Sequence, residues 1–409
     1  MSYISRHLEK PLIEARHGKS VVALTGARQT GKSTLLQNLL GAKGQLPHAH
    51  EITFDDVRQK NLAISDPALF IDENPPPLFV DEVQYAPEIL PFIKIKVDKI
   101  KEKNMYFLSG SQKFNMMKNM SESLAGRVAL FELLGLSMRE INDDNFYLPF
   151  MPTKTYLSAR KDSAKHYDIW RHIHLGSYPD IALHPEKDWN SFYSDYVKTY
   201  IERDVYQLAQ VGDELKFYRF MEVLAARTAC VLNLNEVCKE VGIVHQTAER
   251  WLSILRISNI VYLLRPFSNN LTKRAIKMPK VYFLDTGLAA YLTHWETKDV
   301  LKAGAKSGDF FENFIMVEIL KSYYNAGLEP HNLYYYRDKD KREIDLLIES
   351  NGTLYPIEIK KRSNPTKSDC YSFKVLDKAA NIGEGAVICS CDTIMPISEK
   401  VRAVPYWVV

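Results

Sequence analysis

The chain has 409 residues, 46% hydrophobic and 25% charged, and 53 Lys and Arg against 50 Asp and Glu give a formal net charge of +3. This composition excludes a disordered polyelectrolyte, and the charge is too small to announce a nucleic-acid partner by itself, although a local basic patch fits within it. The length suits two or three domains with their own cores. The five cysteines form no C-x-x-C pair, the start Met1-Ser2-Tyr3-Ile4-Ser5-Arg6-His7 lacks an apolar export core, and no run approaches membrane-spanning length; the expectation is a cytoplasmic protein with reduced thiols and no membrane partner.

Val21 to Leu24 is a short apolar run suited to a buried parallel strand, and Thr34 to Leu40 predicts a helix that packs Leu35, Leu36, Leu39 and Leu40 on the sheet. Between them, Gly26-Ala27-Arg28-Gln29-Thr30-Gly31-Lys32-Ser33 reads G-x-x-x-x-G-K-S and runs into Thr34. Glycines let backbone N–H groups curl around phosphate oxygens, and the helix N-terminus adds partial positive charge. Lys32 is expected to reach the β- and γ-phosphates and the Ser33 hydroxyl to ligate Mg²⁺. A chance match in an irregular loop is the alternative, and the strand–loop–helix frame argues against it.

The next strand, Pro77 to Val80, ends in Asp81-Glu82. At such a strand end the first acid holds Mg²⁺, directly or through water, and the second polarises the attacking water. A third strand, Met105 to Leu108, ends in Ser109-Gly110-Ser111-Gln112, small polar residues placed to sense the γ-phosphate, with Ser111 as a nucleotide contact. Ser123-Leu124-Ala125-Gly126-Arg127 then offers a single guanidinium, read equally as a catalytic group acting in cis or from a neighbouring subunit and as a surface salt-bridge residue.

GARQTGKST, LFVDEVQ, LSGSQ and SLAGRV, in this order, resemble a prokaryotic AAA-type ATPase family whose members carry a distinctive C-terminal domain. Leu175-Gly176-Ser177-Tyr178-Pro179 and Tyr196 to Asp204 look like the same family. The resemblance covers nearly the whole chain apart from the segment around Asn142 to Lys165. It implies an ATP-binding core whose residues map onto Lys32, Ser33, Asp81, Glu82 and Arg127, and it leaves open whether the chain is a homo-oligomer.

The polar stretch from Asn142 to Lys165 predicts a seam, and Tyr167 to Leu215 a helical segment suited to a lid over the nucleotide. His172 and His174 lack a third ligand nearby and read as packing or surface histidines. Phe217 to Leu292 looks like a winged helix: helices over Phe217–Cys230, Leu234–Val241 and Thr247–Arg256, then strands Ile260–Leu264 and Val281–Leu284, with Lys273, Arg274 and Lys277 between the strands. His245, Gln246, Glu249 and Arg250 give its last helix a weakly basic face, so docking on DNA and a role as lid or protein contact both stay open.

In the last hundred or so residues, Phe310 begins a predicted amphipathic helix to about Tyr324, and Leu333 to Tyr336 follows as a strand. Strands Glu343–Ile348 and Leu354–Lys360 pair across Asn351-Gly352, a strong hairpin signal, and alternation puts Asp345 opposite Glu358 and Lys360 on one face. A helix over Asp369–Ala380 and a strand over Ala386–Cys389 complete an α-β-β-β-α-β order that resembles the restriction-endonuclease-like fold. The resemblance implies that Glu312, Asp345 and Glu358 bind Mg²⁺ or Mn²⁺ and that Lys360 orients or deprotonates the water.

The expected architecture is α/β: a P-loop NTPase parallel sheet over 1–142, a helical lid and linker over 143–215, a winged helix-turn-helix over 216–300 and a restriction-endonuclease-like α/β domain over 301–409. Two functions compete: an ATPase coupled to nucleic-acid binding or metal-dependent nuclease action, and a nucleotide-dependent switch whose C-terminal domain binds a partner without cleaving.

Overall fold

The computed structural model describes residues 3–15, 18–42, 44–46, 48–111, 123–163, 167–199, 213–268, 278–376 and 381–409. Its contacts divide the chain into two compact units: Met1–Leu136 with Ile257–Asn259 and Tyr324–Leu328, and Ser137–Arg256 with Ile260–Tyr323 and Glu329–Val409.

The first unit is built on a five-stranded sheet in the order β2-β3-β4-β1-β5, from β1 (Val21–Thr25), β2 (His50–Thr53), β3 (Leu78–Asp81), β4 (Tyr106–Gly110) and β5 (Val128–Glu132). Every neighbouring pair is parallel. Four helices supply much of its packing: α1 (Glu9–Ala15), α2 (Lys32–Leu40), α3 (Val57–Ser65) and α4 (Pro67–Glu73); α5 (Leu90–Ile100) follows β3. Alternation along the strands splits the core between two faces. Val21, Ala23, Leu78, Val80, Tyr106 and Leu108 pack with Phe70 of α4 and with Ile93 and Val97 of α5. Val22, Leu24, Phe79 and Phe107 pack with Leu12 of α1 and with Leu35, Leu36 and Leu39 of α2. Each fully buried Leu contributes about 1.5–3 kcal/mol. Strands β2 and β5 were outside the sequence-based expectation; β2 has only one fully buried residue, Ile52.

In the second unit, helices Ile169–Leu175 and Trp189–Tyr196 pack near Thr286–Leu292, joined by Asp285. Its carboxylate caps the last helix at Leu288 N (2.8 Å) and accepts from Tyr193 Oη (2.6 Å) and Ser177 N (2.6 Å). His174 stacks on Trp189 at 4.3 Å and bonds the Trp295 carbonyl at 2.9 Å, so it is a packing residue. Helices Glu214–Ala225, Leu234–Val241 and His245–Ile257 accompany a three-stranded antiparallel sheet, β6-β8-β7, made of β6 (Cys230–Val231), β7 (Val261–Leu264) and β8 (Lys280–Phe283). His245, Gln246, Glu249 and Arg250 are exposed on their helix, whereas Lys273, Arg274 and Lys277 lie outside the described residues, as do Tyr200 to Asp204.

A six-stranded sheet, β13-β14-β12-β11-β10-β9, closes the second unit, from β9 (Leu333–Arg337), β10 (Glu343–Ser350), β11 (Thr353–Lys360), β12 (Gly385–Cys389), β13 (Met395–Pro396) and β14 (Val401–Pro405). The hairpin forms where expected: Ser350 pairs with Thr353, and Asn351 (φ 50°) and Gly352 (φ 73°) both take the left-handed conformation that a two-residue turn demands. Two expectations are corrected. The helix Ser307–Asn325 is not amphipathic, because it finds partners on several sides and is buried through most of its length from Phe310 to Tyr323. Over Lys367–Leu376 the chain forms 3₁₀ helix, broken at Cys370, in place of a regular α-helix; 377–380 lie outside the described residues.

Candidate nucleotide-binding site and C-terminal acid–lysine cluster

The phosphate loop leaves the C-terminal end of β1. Gly26 has φ +154°, and a Cβ there would meet the Leu133 carbonyl oxygen at 2.2 Å; Gly31 has φ +90° at the start of α2. Both positions require glycine. Lys32 is buried, and its Nζ donates to the Ala27 carbonyl at 2.8 Å, which curls the loop on itself together with Thr30 Oγ1 to Ala27 O at 2.9 Å. Burial pushes the Lys32 ammonium down to about 8, against the upward pull of Glu82 and Asp81. Arg28 donates to Tyr85 Oη at 2.9 Å.

Parallel pairing of β1, β3 and β4 brings the remaining residues to the same end of the sheet. Ser33 Oγ donates to Asp81 Oδ2 at 2.7 Å, while Ser109 Oγ donates to Asp81 Oδ1. These hard oxygens beside the loop suit Mg²⁺, as expected for Ser33 and Asp81. Glu82 sits in the left-handed region (φ 54°), and its Oε2 accepts from Gln84 Nε2 and from Ser111 Oγ at 3.2 Å. Thus Lys32, Ser33, Asp81, Glu82 and Ser111 converge; Gln112 lies outside the described residues.

Arg127 does not join them. It precedes β5, whose Val128 pairs with Val21 and Glu132 with Thr25, so it stands at the end of the sheet away from the loop, roughly 15 Å along the strands. Its guanidinium makes a two-point ion pair with Asp98 of α5, Nε to Oδ1 at 2.6 Å and Nη2 to Oδ2 at 2.9 Å. A role in cis lacks the reach.

One residue near the loop escaped the sequence. Arg6 is 4% exposed and donates from Nη1 to the Thr30 carbonyl at 2.9 Å and from Nη2 to the Leu134 carbonyl at 2.8 Å. It ties the phosphate loop to the turn after β5, and no local pattern around Arg6 announces this, because its acceptors lie far along the chain.

In the second unit the predicted C-terminal residues also meet. Asp345 Oδ2 accepts from Lys360 Nζ at 3.0 Å and from Ile359 N at 2.8 Å; Lys360 Nζ lies 2.6 Å from Glu358 Oε2, whose other oxygen accepts from Ser372 Oγ at 2.5 Å. Burial and the Asp345 charge push Glu358 up, whereas Lys280 and Lys360 together hold Asp345 down against its burial. Lys280, unforeseen from sequence, comes from β8 and bonds Glu312 Oε1 at 2.9 Å and Glu343 Oε1 at 2.6 Å. Among the described residues, no group of three or more His, Cys, Asp or Glu side chains is gathered in a way that could hold a metal ion, in contrast to the expectation for Glu312, Asp345 and Glu358.

Comparisons with known proteins agree with the first unit. Residues 18–142 match a family model described as an AAA domain. Residues 166–299 and 307–409 match two models each described as a domain of unknown function. The chain is similar to uncharacterized proteins of Mycobacterium bovis and Mycobacterium tuberculosis, each 29% identical over 395 residues that span 96% of this chain and 82% of the relative. Among solved structures, a signal transduction ATPase with numerous domains and a tetratricopeptide repeat sensor, from Pyrococcus horikoshii, is 11% identical with a TM-score of 0.24; the match covers 79% of this chain and 47%, about half, of that one. A Vibrio cholerae protein is 10% identical over 94% of both chains with a TM-score of 0.19. The parallel sheet and the loop geometry of this region agree with its match to an AAA domain model and with a P-loop nucleotide-binding fold. Among the described residues no helix is long and apolar enough to cross a membrane.

Proposed function

We propose that the protein is a Mg²⁺-dependent ATPase that works as a nucleotide-controlled switch. The observation that carries this reading is the convergence at one sheet end of Lys32, the Ser33–Asp81 pair and the Glu82–Ser111 contact. Mg²⁺, when bound with ATP, supplies charge neutralisation of the phosphates. Ser33 and Asp81 hold it, and Lys32 trades its bond to the Ala27 carbonyl for the β- and γ-phosphates. Glu82 polarises the attacking water once Gln84 and Ser111 release it, and Ser111 senses the γ-phosphate. Arg127, held by Asp98 away from the loop, would reach a phosphate only on a neighbouring copy in a homo-oligomer. Steady-state ATP hydrolysis by the full chain tests the proposal: Lys32→Ala abolishes binding and Glu82→Gln retains binding but loses turnover, whereas an undiminished rate in Glu82→Gln would remove Glu82 from the mechanism.

A second reading is metal-dependent cleavage of nucleic acid, with DNA docked through the helix carrying His245 and Arg250. The meeting of Asp345, Glu358 and Lys360 on one face favours it, and it requires that Lys280 first leave the carboxylates. Plasmid and single-stranded DNA incubated with Mg²⁺ or Mn²⁺ discriminate: cleavage lost in Asp345→Ala supports this reading, and absence of cleavage with ATP turnover intact supports the switch.

A further inference from the structure

The carboxyl cluster of the second unit already contains a cation. Lys280 Nζ, on a side chain 2% exposed, lies 2.9 Å from Glu312 Oε1, 2.6 Å from Glu343 Oε1 and 3.7 Å from Asp345 Oδ1. An ammonium ion this deeply buried is tolerated only when carboxylates surround it. The cluster therefore draws residues from three sources: β8 of the three-stranded sheet, the helix Ser307–Asn325, and strands β10 and β11.

Donors also occupy the oxygens that a metal would need. Tyr282 Oη donates to Glu312 Oε1 at 2.7 Å, Ile359 N and Lys360 Nζ donate to Asp345 Oδ2, and Ser372 Oγ and Lys360 Nζ divide the two oxygens of Glu358. Mg²⁺ needs oxygens at about 2.0–2.1 Å that carry no competing donor, and a second cation beside it opposes its entry. These residues fit ammonium groups and do not fit a divalent ion.

We propose that Lys280 is a built-in counter-ion that occupies the cation position between Glu312 and Asp345 and thereby excludes divalent metals from the cluster. The site is latent while β8 stays in place. Displacement of Lys280, and not simply addition of metal, is what frees Glu312 and Asp345 as ligands for a hard divalent cation. This inference is independent of ATP hydrolysis in the first unit.

Mn²⁺ titration of the nucleotide-free full chain, with free Mn²⁺ followed by electron paramagnetic resonance, tests it. Wild type and Asp345→Asn are expected to bind Mn²⁺ identically up to about 1 mM. Lys280→Met is expected to gain one Mn²⁺ site, at least about tenfold tighter than any wild-type site, which the double variant Lys280→Met/Asp345→Asn loses. A wild-type Mn²⁺ site that Asp345→Asn removes overturns the proposal, and this arm needs no Lys280 variant. A folded Lys280→Met that gains no site overturns it too. If Lys280→Met does not fold, Lys280→Gln keeps a hydrogen-bond donor toward Glu312 without the charge and carries the same expectation.

Discussion

Lys32 rests in this structure as a buried ammonium bonded to a carbonyl, with its pKa lowered to about 8. Bound phosphate favours the charged form and raises that value. Below about pH 8 the lysine is charged in both states and affinity is flat; above it, binding must take up a proton. ATP affinity is therefore expected to fall by up to about tenfold per pH unit above about pH 8, which nucleotide titrations of the wild type at rising pH check. Glu82→Gln should lower turnover by about 10²–10⁴-fold with ATP affinity retained, measured by single-turnover hydrolysis and nucleotide titration. Arg6→Ala leaves the Thr30 and Leu134 carbonyls without their donor and is expected to cost about 1–3 kcal/mol in denaturant unfolding, with weaker ATP binding because the loop loses its anchor. The contrast between these residues explains what was legible. Lys32, Ser33, Asp81 and Glu82 announce themselves because each lies at a strand end in a fixed local pattern. Arg6 and Lys280 do not, since both act on partners that only tertiary folding delivers.

At the scale of elements, the lead-in to β5 separates Arg127 from its own phosphate loop, so its proposed catalytic role belongs to a neighbouring copy. Arg127→Ala should then lose ATP turnover while its melting temperature stays near that of wild type, and mixing it with catalytically dead Glu82→Gln chains should restore part of the rate. Mixtures that stay inactive would leave Arg127 as the partner of Asp98 alone. The helix Ser307–Asn325 carries a second element-scale expectation. Asn313, fully buried, donates to the Phe283 carbonyl at 2.8 Å, accepts from Phe283 N at 2.8 Å and takes the Thr228 hydroxyl, joining this helix to β8. Asn313→Ala is expected to cost about 2–3 kcal/mol by chemical denaturation, since it strands buried polar groups. Hairpins and strands were readable here wherever a turn residue or alternation constrained them, as at Asn351-Gly352. The character of this helix was not: Trp170 packs near Phe311, the Phe150 amide bonds Ser322 and the Met138 amide bonds Glu318, so a one-sided pattern has no solvent face to mark. Short β2 likewise carried too few buried residues to register.

At the scale of the molecule, the chain consists of two units that each hold their own sheets and core. Calorimetry is expected to resolve two transitions, of which Mg²⁺ and ATP raise only the one belonging to the first unit, by about 2.7 kcal/mol at a hundredfold excess over Kd, and not at all in Lys32→Ala. A single transition that ATP shifts as a whole would mean that the two units unfold together. The strand order has another consequence, for synthesis. Strand β1 lies between β4 and β5, whose partners for Val21 are Tyr106 and Val128. At about 5–20 residues per second, roughly 4–20 s pass between the appearance of β1 and that of the strands that flank it. Throughout that interval the nascent chain presents Val-Val-Ala-Leu with two open edges, so the strand that later leads into the phosphate loop is a place for a chaperone to bind while the ribosome is still at work.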